Sequence, residues 1–229
     1  MTKVVKIGGA LLEKPVDAVA VVRRFLTDRT VIVHGGGLQI TRMLERMNVQ
    51  SVFIDGLRVT DEKTLGGVAA ALLGEVHTAL IRELHNQGID AVGVFGEVLA
   101  SKKAGPWGLV GTNLRARASA LHSLLDLGRV PVIPTLAIGE DSVLNVNGDE
   151  TAAAVAIALR SEELVFLTDV EGVKDGNGVV IDCCNKPDEL IQAEFVTGGM
   201  IPKLRAVKTA MDGGVETVRV GRTLFGATS

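Results

Sequence analysis

The chain has 229 residues, of which 47% are hydrophobic and 22% charged, with a net charge of −3 at pH 7. About 100 to 200 residues per domain is usual, so we expect a single α/β domain over residues 1–229 with a large core. The slightly acidic balance, without a lysine or arginine run, indicates no nucleic-acid partner. No basic leader precedes an apolar stretch and no run of about 18 apolar residues occurs, which predicts no membrane partner and a cytoplasmic location.

The apolar pattern predicts strands that alternate with helices nearly throughout the chain. Predicted strands are 3–7, 30–33, 52–54, 91–95, 130–134, 142–146, 164–167 and 217–220, with a hairpin piece at 179–181. Predicted helices are 15–26, a segment from 38, 62–87, 115–127, a segment from 147 and 201–211, and residues 97–111 suit a hairpin lid. Such alternation predicts a mostly parallel sheet covered on both faces, which is a three-layer αβα sandwich. The long helix, rich in alanine, glycine and leucine, is either a core helix or a surface that packs on a second copy.

The cysteines and histidines form no recognisable metal site. Cys183 and Cys184 are adjacent, which matches neither metal ligands nor a disulfide framework, so we predict that both are reduced. The histidines are scattered without an HExxH pattern, which favours a structural or solvent-facing role for each: His34, His77, His85 and His122. The sequence therefore predicts no protein metal site, and magnesium would arrive with a nucleotide.

Three polar turns follow predicted strands. Gly8 and Gly9 follow the first strand, three glycines at 35–37 follow the second, and the segment 145–149 precedes a helix. Parallel sheets bind ligands beyond the carboxyl ends of their strands, so we expect the turns to meet at one crevice. Three glycines exceed what a tight βα turn needs, and they favour an anion against the backbone. The chain has no Gly-Lys dipeptide and no GxGxxG after a strand, which excludes a Walker A loop and a dinucleotide fingerprint.

Two lysines occupy unfavourable positions. Lys6 interrupts an apolar strand, where a buried ammonium costs several kcal/mol unless an anion meets it. Lys203 lies at a predicted helix start, where the helix dipole disfavours a cation unless a phosphate faces it. The alternative for each is a lysine that points into solvent.

Three further polar residues complete the candidate site. Asn145, Asn147 and Asp149 alternate before a helix, and capping accounts for one of them only. A carboxylate there could hold both lysines, and Arg58 is suited to grip a substrate carboxylate, although it could equally be solvated. Lysines, an aspartate and glycine turns without a nucleophile fit phosphoryl transfer, in which positioning and charge stabilisation carry most of the catalysis.

The chain resembles the amino acid kinase family in six segments that occur in order: VVKIGGALL, IVHGGG, GLRVTD, LNVNGDETAAA, LTDVEGV and GGMIPKL. The resemblance implies a two-lobed fold, with an acceptor-binding lobe and dimer helix at about 1–140 and a nucleotide-binding lobe at about 141–229. It implies ATP-dependent phosphorylation of the γ-carboxylate of N-acetyl-L-glutamate in arginine biosynthesis, with Mg²⁺, by a homodimer. The chain begins directly at the first strand, without the extra N-terminal helix of arginine-inhibited members, so an uninhibited dimer is expected.

The resemblance also leaves alternatives open. Gly148 stands where members that use N-acetylglutamate commonly have alanine, so the acceptor could be N-acetyl-L-2-aminoadipate or a carrier-linked amino acid of lysine biosynthesis. The chain ends soon after VRVGRTLFGATS, without the family's usual closing segment, so a non-catalytic ligand-sensing member is a further alternative.

The family's site residues transfer to matching positions. Lys6 and Lys203 would stabilise the transferring phosphoryl group, and Asp149 would organise both lysines. The predicted substrate-binding residues are Gly36, Gly37, Arg58 and Asn145. The predicted nucleotide-binding residues are Gly8, Gly9, Thr168, Asp169, Gly172, Val173, Gly199 and Met200. The backbone N–H groups of Gly8, Gly9 and Gly36 would contact phosphoryl oxygens.

Overall fold

The computed structural model of the protein describes residues 1–226. The strands are β1 Thr2–Ile7, β2 Arg29–His34, β3 Phe53–Ile54, β4 Leu57–Arg58, β5 Ala91–Gly93, β6 Val98–Lys102, β7 Gly111–Ala116, β8 Val130–Pro134, β9 Leu136–Ile138, β10 Val143–Asn145, β11 Glu163–Leu167, β12 Cys183–Cys184, β13 Thr217–Val220 and β14 Thr223–Gly226. The α-helices are α1 Pro15–Val22, α2 Gly37–Arg46, α3 Glu62–Ala69, α4 Thr78–Asn86, α5 Ala118–Asp126, α6 Gly148–Ala158, α7 Pro187–Gln192 and α8 Met200–Asp212.

The main sheet has eight strands in the order β12-β14-β13-β11-β1-β2-β8-β5. Strands β5, β8, β2, β1, β11 and β13 pair in parallel, and β14 is antiparallel to β13. A second sheet joins β10, β9, β6 and β7, and β3 with β4 forms a small hairpin. The prediction of a mostly parallel α/β sheet is confirmed.

Helices cover both faces of the main sheet because the central strands alternate their buried side chains. On β1, Val4 packs into a core shared with Leu121 of α5 and Leu204 of α8. Its neighbour Val5 faces the other way, into a core shared with Leu80 of α4. Apolar residues on both sides of a strand require cover on both sides, so the three-layer αβα arrangement follows.

The predicted helix 62–87 is one helical stretch, Glu62–Asn86, in which a π-helical segment, Ala70–His77, joins α3 to α4. By length and composition alone this helix could cross a membrane. Its side chains Val68, Leu72, Leu80 and Leu84 are fully buried against the rest of the fold, however, and a core helix has the same composition. Packing on a second copy stays a prediction.

Several boundaries differ from the sequence-based prediction. Helix α1 ends at Val22, four residues before the predicted end, where the backbone enters a turn. Helix α5 starts at Ala118 instead of 115, because residues 111–116 pair with β6. The hairpin predicted at 97–111 therefore extends to residue 116. Strand β14 was not predicted; it follows β13 through a turn that places Gly221 at a φ of 56°. The hairpin piece predicted at 179–181 pairs back in antiparallel fashion with 173–175, through a bridge between Lys174 and Val180 and a hydrogen bond from the N–H of Ile181 to the carbonyl oxygen of Val173 (2.8 Å).

Candidate active site

Two glycine turns meet at the carboxyl edge of the sheet, as predicted. The N–H of Gly35 donates to the carbonyl oxygen of Ile7 (3.2 Å), so the second turn is attached to the end of β1. A Cβ atom on Gly9 would lie 2.9 Å from the backbone nitrogen of Gly37. The first turn therefore touches the start of α2 so closely that only glycine fits at position 9.

Asp149 lies between the two predicted lysines. The Nζ atom of Lys6 is 2.7 Å from Asp149 Oδ1, and that of Lys203 is 2.9 Å from Asp149 Oδ2. Asn147 is the N-cap of α6, because its Oδ1 accepts from the backbone N–H groups of Asp149 (2.8 Å) and Glu150 (3.1 Å). Asn147 therefore caps the helix, and the carboxylate of Asp149 is free to bind the two lysines.

The cluster of Lys6, Asp149 and Lys203 carries one uncompensated positive charge. Asp149 is 8% exposed and Lys203 9% exposed. Burial by itself would raise the pKa of Asp149, but the two ammonium groups hold that pKa below its usual value. Burial lowers the pKa of Lys203, and the carboxylate opposes this effect. Two cations around one anion in a poorly hydrated place favour a further anion.

A cavity of about 220 Å³ lies beside Lys6. We call it the first cavity. It is also lined by the predicted substrate-binding residues Gly36, Gly37, Arg58 and Asn145, and by Gly9. The structure thus brings the whole predicted acceptor set together, and it places Gly9 on this side of the site.

Arg58 is held rigidly at the first cavity. It is 7% exposed, and its Nη2 donates to Thr41 Oγ1 (2.9 Å) while its Nη1 donates to Ser51 Oγ. The guanidinium carbon lies 4.6 Å from the ring centroid of Phe53. Burial lowers the pKa of Arg58. A buried guanidinium without an acidic partner among these contacts is suited to bind a carboxylate.

Asn145 ends β10 at the same cavity. Its Nδ2 donates to Thr60 Oγ1 (3.1 Å), and Thr60 in turn donates to the carbonyl oxygen of Arg58 (2.8 Å). These bonds connect β10 to the Arg58 hairpin. The amide group of Asn145 is therefore oriented by a side chain next to Arg58.

A second cavity, of about 430 Å³, lies after β11 and beside the start of α8. Of the predicted nucleotide-binding residues, Asp169, Gly172, Val173 and Met200 line it. Thr168 donates to Asp169 Oδ1 (3.1 Å), and Gly199 is the N-cap residue of α8.

The charged cluster has one member at the first cavity and one on the helix that borders the second. Lys6 lines the first cavity, and Lys203 lies on α8, whose first residue, Met200, lines the second. The N–H of Gly8 donates to the carbonyl oxygen of Leu167 (3.1 Å), so the group predicted to contact a phosphoryl oxygen is engaged within the sheet.

Several cavity residues escaped the sequence-based prediction. Thr135 lines the first cavity and is 4% exposed. A polar residue directly after the apolar strand β8 is the signal that could have found it. Phe195 and Thr197 line the second cavity, and no local pattern marks them.

Two of the four histidines form a buried pair, and the cysteines are unpaired thiols. His34 and His77 are buried and hydrogen-bonded to each other, a pairing that the sequence did not predict. Cys183 is exposed and neither cysteine is in a disulfide. Within residues 1–226, no group of three His, Cys, Asp or Glu side chains could hold a metal ion.

The chain is similar to known proteins over most of its length. The model of the amino acid kinase family matches residues 1–222. An acetylglutamate kinase of Methanopyrus kandleri is 40% identical over 229 residues, which cover 93% of this chain and 91% of the relative. An acetylglutamate kinase of Brevibacillus brevis is 41% identical over 204 residues, which cover 84% of this chain and 77% of the relative. A crystal structure of a Streptococcus mutans protein superimposes with a TM-score of 0.86 at 28% identity over 99% of both chains. The chain therefore belongs to the amino acid kinase family.

Proposed function

We propose that this protein transfers the γ-phosphoryl group of ATP to the γ-carboxylate of N-acetyl-L-glutamate, giving an acyl phosphate and ADP. The observation that carries the proposal is the carboxylate of Asp149, which pairs with the ammonium groups of both Lys6, a lining residue of the first cavity, and Lys203, on the helix whose start borders the second. The acetylglutamate kinase relatives, about 40% identical over most of the chain, support this acceptor and give the alternatives no support.

The acceptor would bind in the first cavity, in the lobe formed by about 1–140. Arg58 would grip its α-carboxylate, since the guanidinium is already oriented by Thr41 and Ser51. Gly36, Gly37 and Asn145 would surround the N-acetyl group and the carboxylates. The γ-carboxylate would then lie toward Lys6.

ATP would bind in the second cavity, in the lobe formed by about 141–229. The base and sugar would lie near Gly172, Val173 and Met200, with Thr168, Asp169 and Gly199 near the phosphates. Gly9 would contribute its backbone N–H to a phosphoryl oxygen, whereas the N–H of Gly8 already donates to the carbonyl oxygen of Leu167. The N-terminus of α8 lacks a side-chain cap, and the helix dipole there favours a phosphate nearby.

The reaction needs charge stabilisation and no general base. A carboxylate oxygen of the acceptor forms a bond to the γ-phosphorus, the bond from that phosphorus to the β,γ-bridging oxygen breaks, and ADP leaves with the electron pair. The acceptor is already ionised near pH 7, so no proton is removed. Lys6 and Lys203 would stabilise the equatorial oxygens of the transferring group, and Asp149 would keep both ammonium groups in position.

Mg²⁺ would enter as part of the nucleotide substrate. Both oxygens of Asp149 already face ammonium groups, and residues 1–226 contain no three-ligand cluster. The phosphate oxygens of ATP would therefore supply most of the ligands of the ion. We further propose a cytoplasmic homodimer that uses the helical stretch Glu62–Asn86 and serves arginine biosynthesis.

An acceptor-dependent ADP-release assay with MgATP tests the proposal. Wild-type protein should release ADP only when N-acetyl-L-glutamate is present, and Lys6→Ala should lower kcat by roughly 10² to 10³, as loss of one transition-state donor does. Lys3→Ala is the matched control, because Lys3 lies on the same strand but pairs with Glu163 (2.7 Å) away from the site. Folded wild-type protein without acceptor-dependent turnover, or Lys6→Ala at wild-type activity, would refute the proposal.

A further inference from the structure

A pair of buried histidines lies directly behind the glycine turn at 35–37. His34 Nε2 is 2.8 Å from His77 Nδ1, and His34 Nδ1 is 3.0 Å from the carbonyl oxygen of Gly35. His34 is the last residue of β2, and His77 is the last residue of the π-helical segment. The pair thus joins the long helix to the first residue of the glycine turn.

The hydrogen bonds dictate where the protons lie. A carbonyl oxygen only accepts, so Nδ1 of His34 carries its proton. Burial lowers the pKa of His34 to about 3 and that of His77 to about 4, so both rings are neutral near pH 7. Nε2 of His34 must then accept, and Nδ1 of His77 must donate. The carbonyl group of Gly35 therefore sets the tautomer of His34, and the bond from His77 holds the second nitrogen of the ring and so fixes its orientation.

The π-helical segment supplies the close fit behind the turn. A Cβ atom on Gly36 would lie 2.9 Å from Leu72 Cδ2 and 3.2 Å from Val76 Cγ2, both of which belong to this segment. A Cβ atom on Gly93 would lie 2.4 Å from His77 Nε2, so glycine at that position leaves room for the ring. Short π-helical insertions are frequent at functional sites, because they re-aim side chains that a regular helix would point elsewhere.

We propose that His77 is a positioning residue for acceptor binding: through His34 it holds the carbonyl group of Gly35, and thereby the backbone of Gly36 and Gly37 that lines the first cavity. This inference rests on the proposed function, which assigns the acceptor to that cavity. His77 lies behind the turn, and its hydrogen bond goes to His34, the residue just before the turn. Its loss should therefore weaken acceptor binding and leave ATP binding intact.

Kinetics of two substitutions at position 77 test the proposal. His77→Leu removes the donor, and we expect the KM for N-acetyl-L-glutamate to rise roughly tenfold, as for one lost hydrogen bond, with the KM for ATP unchanged. His77→Asn keeps an N–H donor and should restore much of the acceptor affinity. His85→Leu is the matched control, since His85 on the same helix bonds only to the carbonyl oxygen of Ala91 (2.8 Å). An acceptor KM in His77→Leu no higher than in His85→Leu would overturn the proposal.

Nitrogen NMR of the imidazole rings tests the same inference without any turnover. Wild-type protein should have protonated Nδ1 atoms on both His34 and His77, and the backbone amide signals of residues 35–37 should shift more in His77→Leu than in His85→Leu. A protonated Nε2 on His34, or unmoved glycine signals, would overturn the inference. Because this readout needs no acceptor, a failed assay with N-acetyl-L-glutamate would count against the proposed function alone.

Discussion

The carboxylate of Asp149 lies 2.7 Å from the ammonium of Lys6, and its second oxygen faces Lys203. One buried anion thus holds two cations that its own charge does not neutralise. Removal of any one of the three side chains should destabilise the folded protein, because it changes the balance of charge in a buried place.

Substitution of Asp149 should destabilise the fold. Asp149→Asn keeps the shape of the side chain but leaves two buried ammonium groups without a counter-charge, so we expect the free energy of unfolding to fall by about 3 to 5 kcal/mol. Urea denaturation at pH 7 measures it. Asp126→Asn is the control, because its partner Arg29 lies at the surface and such pairs contribute about 0 to 1 kcal/mol. Equal losses in the two variants would contradict the buried-cluster interpretation.

Arg58 should control acceptor affinity. Arg58→Lys replaces a planar guanidinium by a point charge that cannot bind a carboxylate through two parallel bonds. We expect the KM for N-acetyl-L-glutamate to rise roughly 10- to 100-fold, the range for a lost hydrogen bond to a charged group, with little change in the KM for ATP. Steady-state kinetics with each substrate varied measures both. Arg42→Lys serves as control because Arg42 pairs with Glu13 at the surface, and a selective rise in the KM for ATP would argue against the assignment.

The contact between the two glycine turns should tolerate no side chain. In Gly9→Ala the new Cβ would lie 2.9 Å from the backbone nitrogen of Gly37, which cannot rotate away as a side chain would. We expect a loss of about 1 to 3 kcal/mol in unfolding free energy and a strong loss of kcat. Gly66→Ala, whose Cβ would meet no atom within 4 Å, should instead be neutral or stabilise its helix by roughly 0.5 to 1 kcal/mol. Thermal unfolding and turnover measurements on the two variants test this expectation. A fully active Gly9→Ala protein would contradict it.

The histidine pair should make stability depend on pH. Both rings are neutral when folded, with pKa values of about 3 for His34 and about 4 for His77, against 6.5 for an unperturbed histidine. Below pH 6.5 the unfolded chain therefore binds protons that the folded chain does not. This contribution is fully present above pH 6.5 and is lost as the pH falls toward about 4, with a slope of up to about 1.4 kcal/mol per pH unit for each histidine.

Urea denaturation between pH 7 and pH 5 checks this dependence. The wild-type protein should lose stability across that interval, and His77→Asn should show a shallower slope because one titrating ring is gone. A slope that is identical in the two proteins would contradict the lowered pKa of His77, because that ring would then bind protons equally in the folded and unfolded states.

The charged residues of the site could be predicted from the sequence, because they occupy positions where a charge is energetically unfavourable. A lysine inside an apolar strand and another at a helix start are unfavourable unless an anion compensates them, and the structure joins Lys6 and Lys203 through Asp149. Residues that support the site from positions where their side chains are not unfavourable could not be found in this way. Thr41 and Ser51 hold Arg58, but threonine and serine are ordinary surface residues in a sequence.

The sheet and helix layers followed from short apolar runs and from the helical spacing of apolar residues, whereas their local irregularities did not. The π-helical segment Ala70–His77 is rich in alanine and leucine like an ordinary helix, so its extra residue per turn has no signal in the sequence. In the structure this segment packs against Gly36 and ends at His77, the partner of His34. A pairing between residues 43 positions apart has no signal in the local sequence.

The ratio of kcat/KM for two acceptors tests most directly whether N-acetyl-L-glutamate is the acceptor. N-acetyl-L-glutamate and N-acetyl-L-2-aminoadipate differ by one methylene group, which a fitted cavity distinguishes by about 1 to 3 kcal/mol. Measured with MgATP on the wild-type protein, kcat/KM should favour N-acetyl-L-glutamate by roughly 10- to 100-fold, and both activities should collapse in Lys6→Ala. Equal or greater kcat/KM for the longer acceptor, or no turnover of either, would contradict the assignment of the first cavity to N-acetyl-L-glutamate.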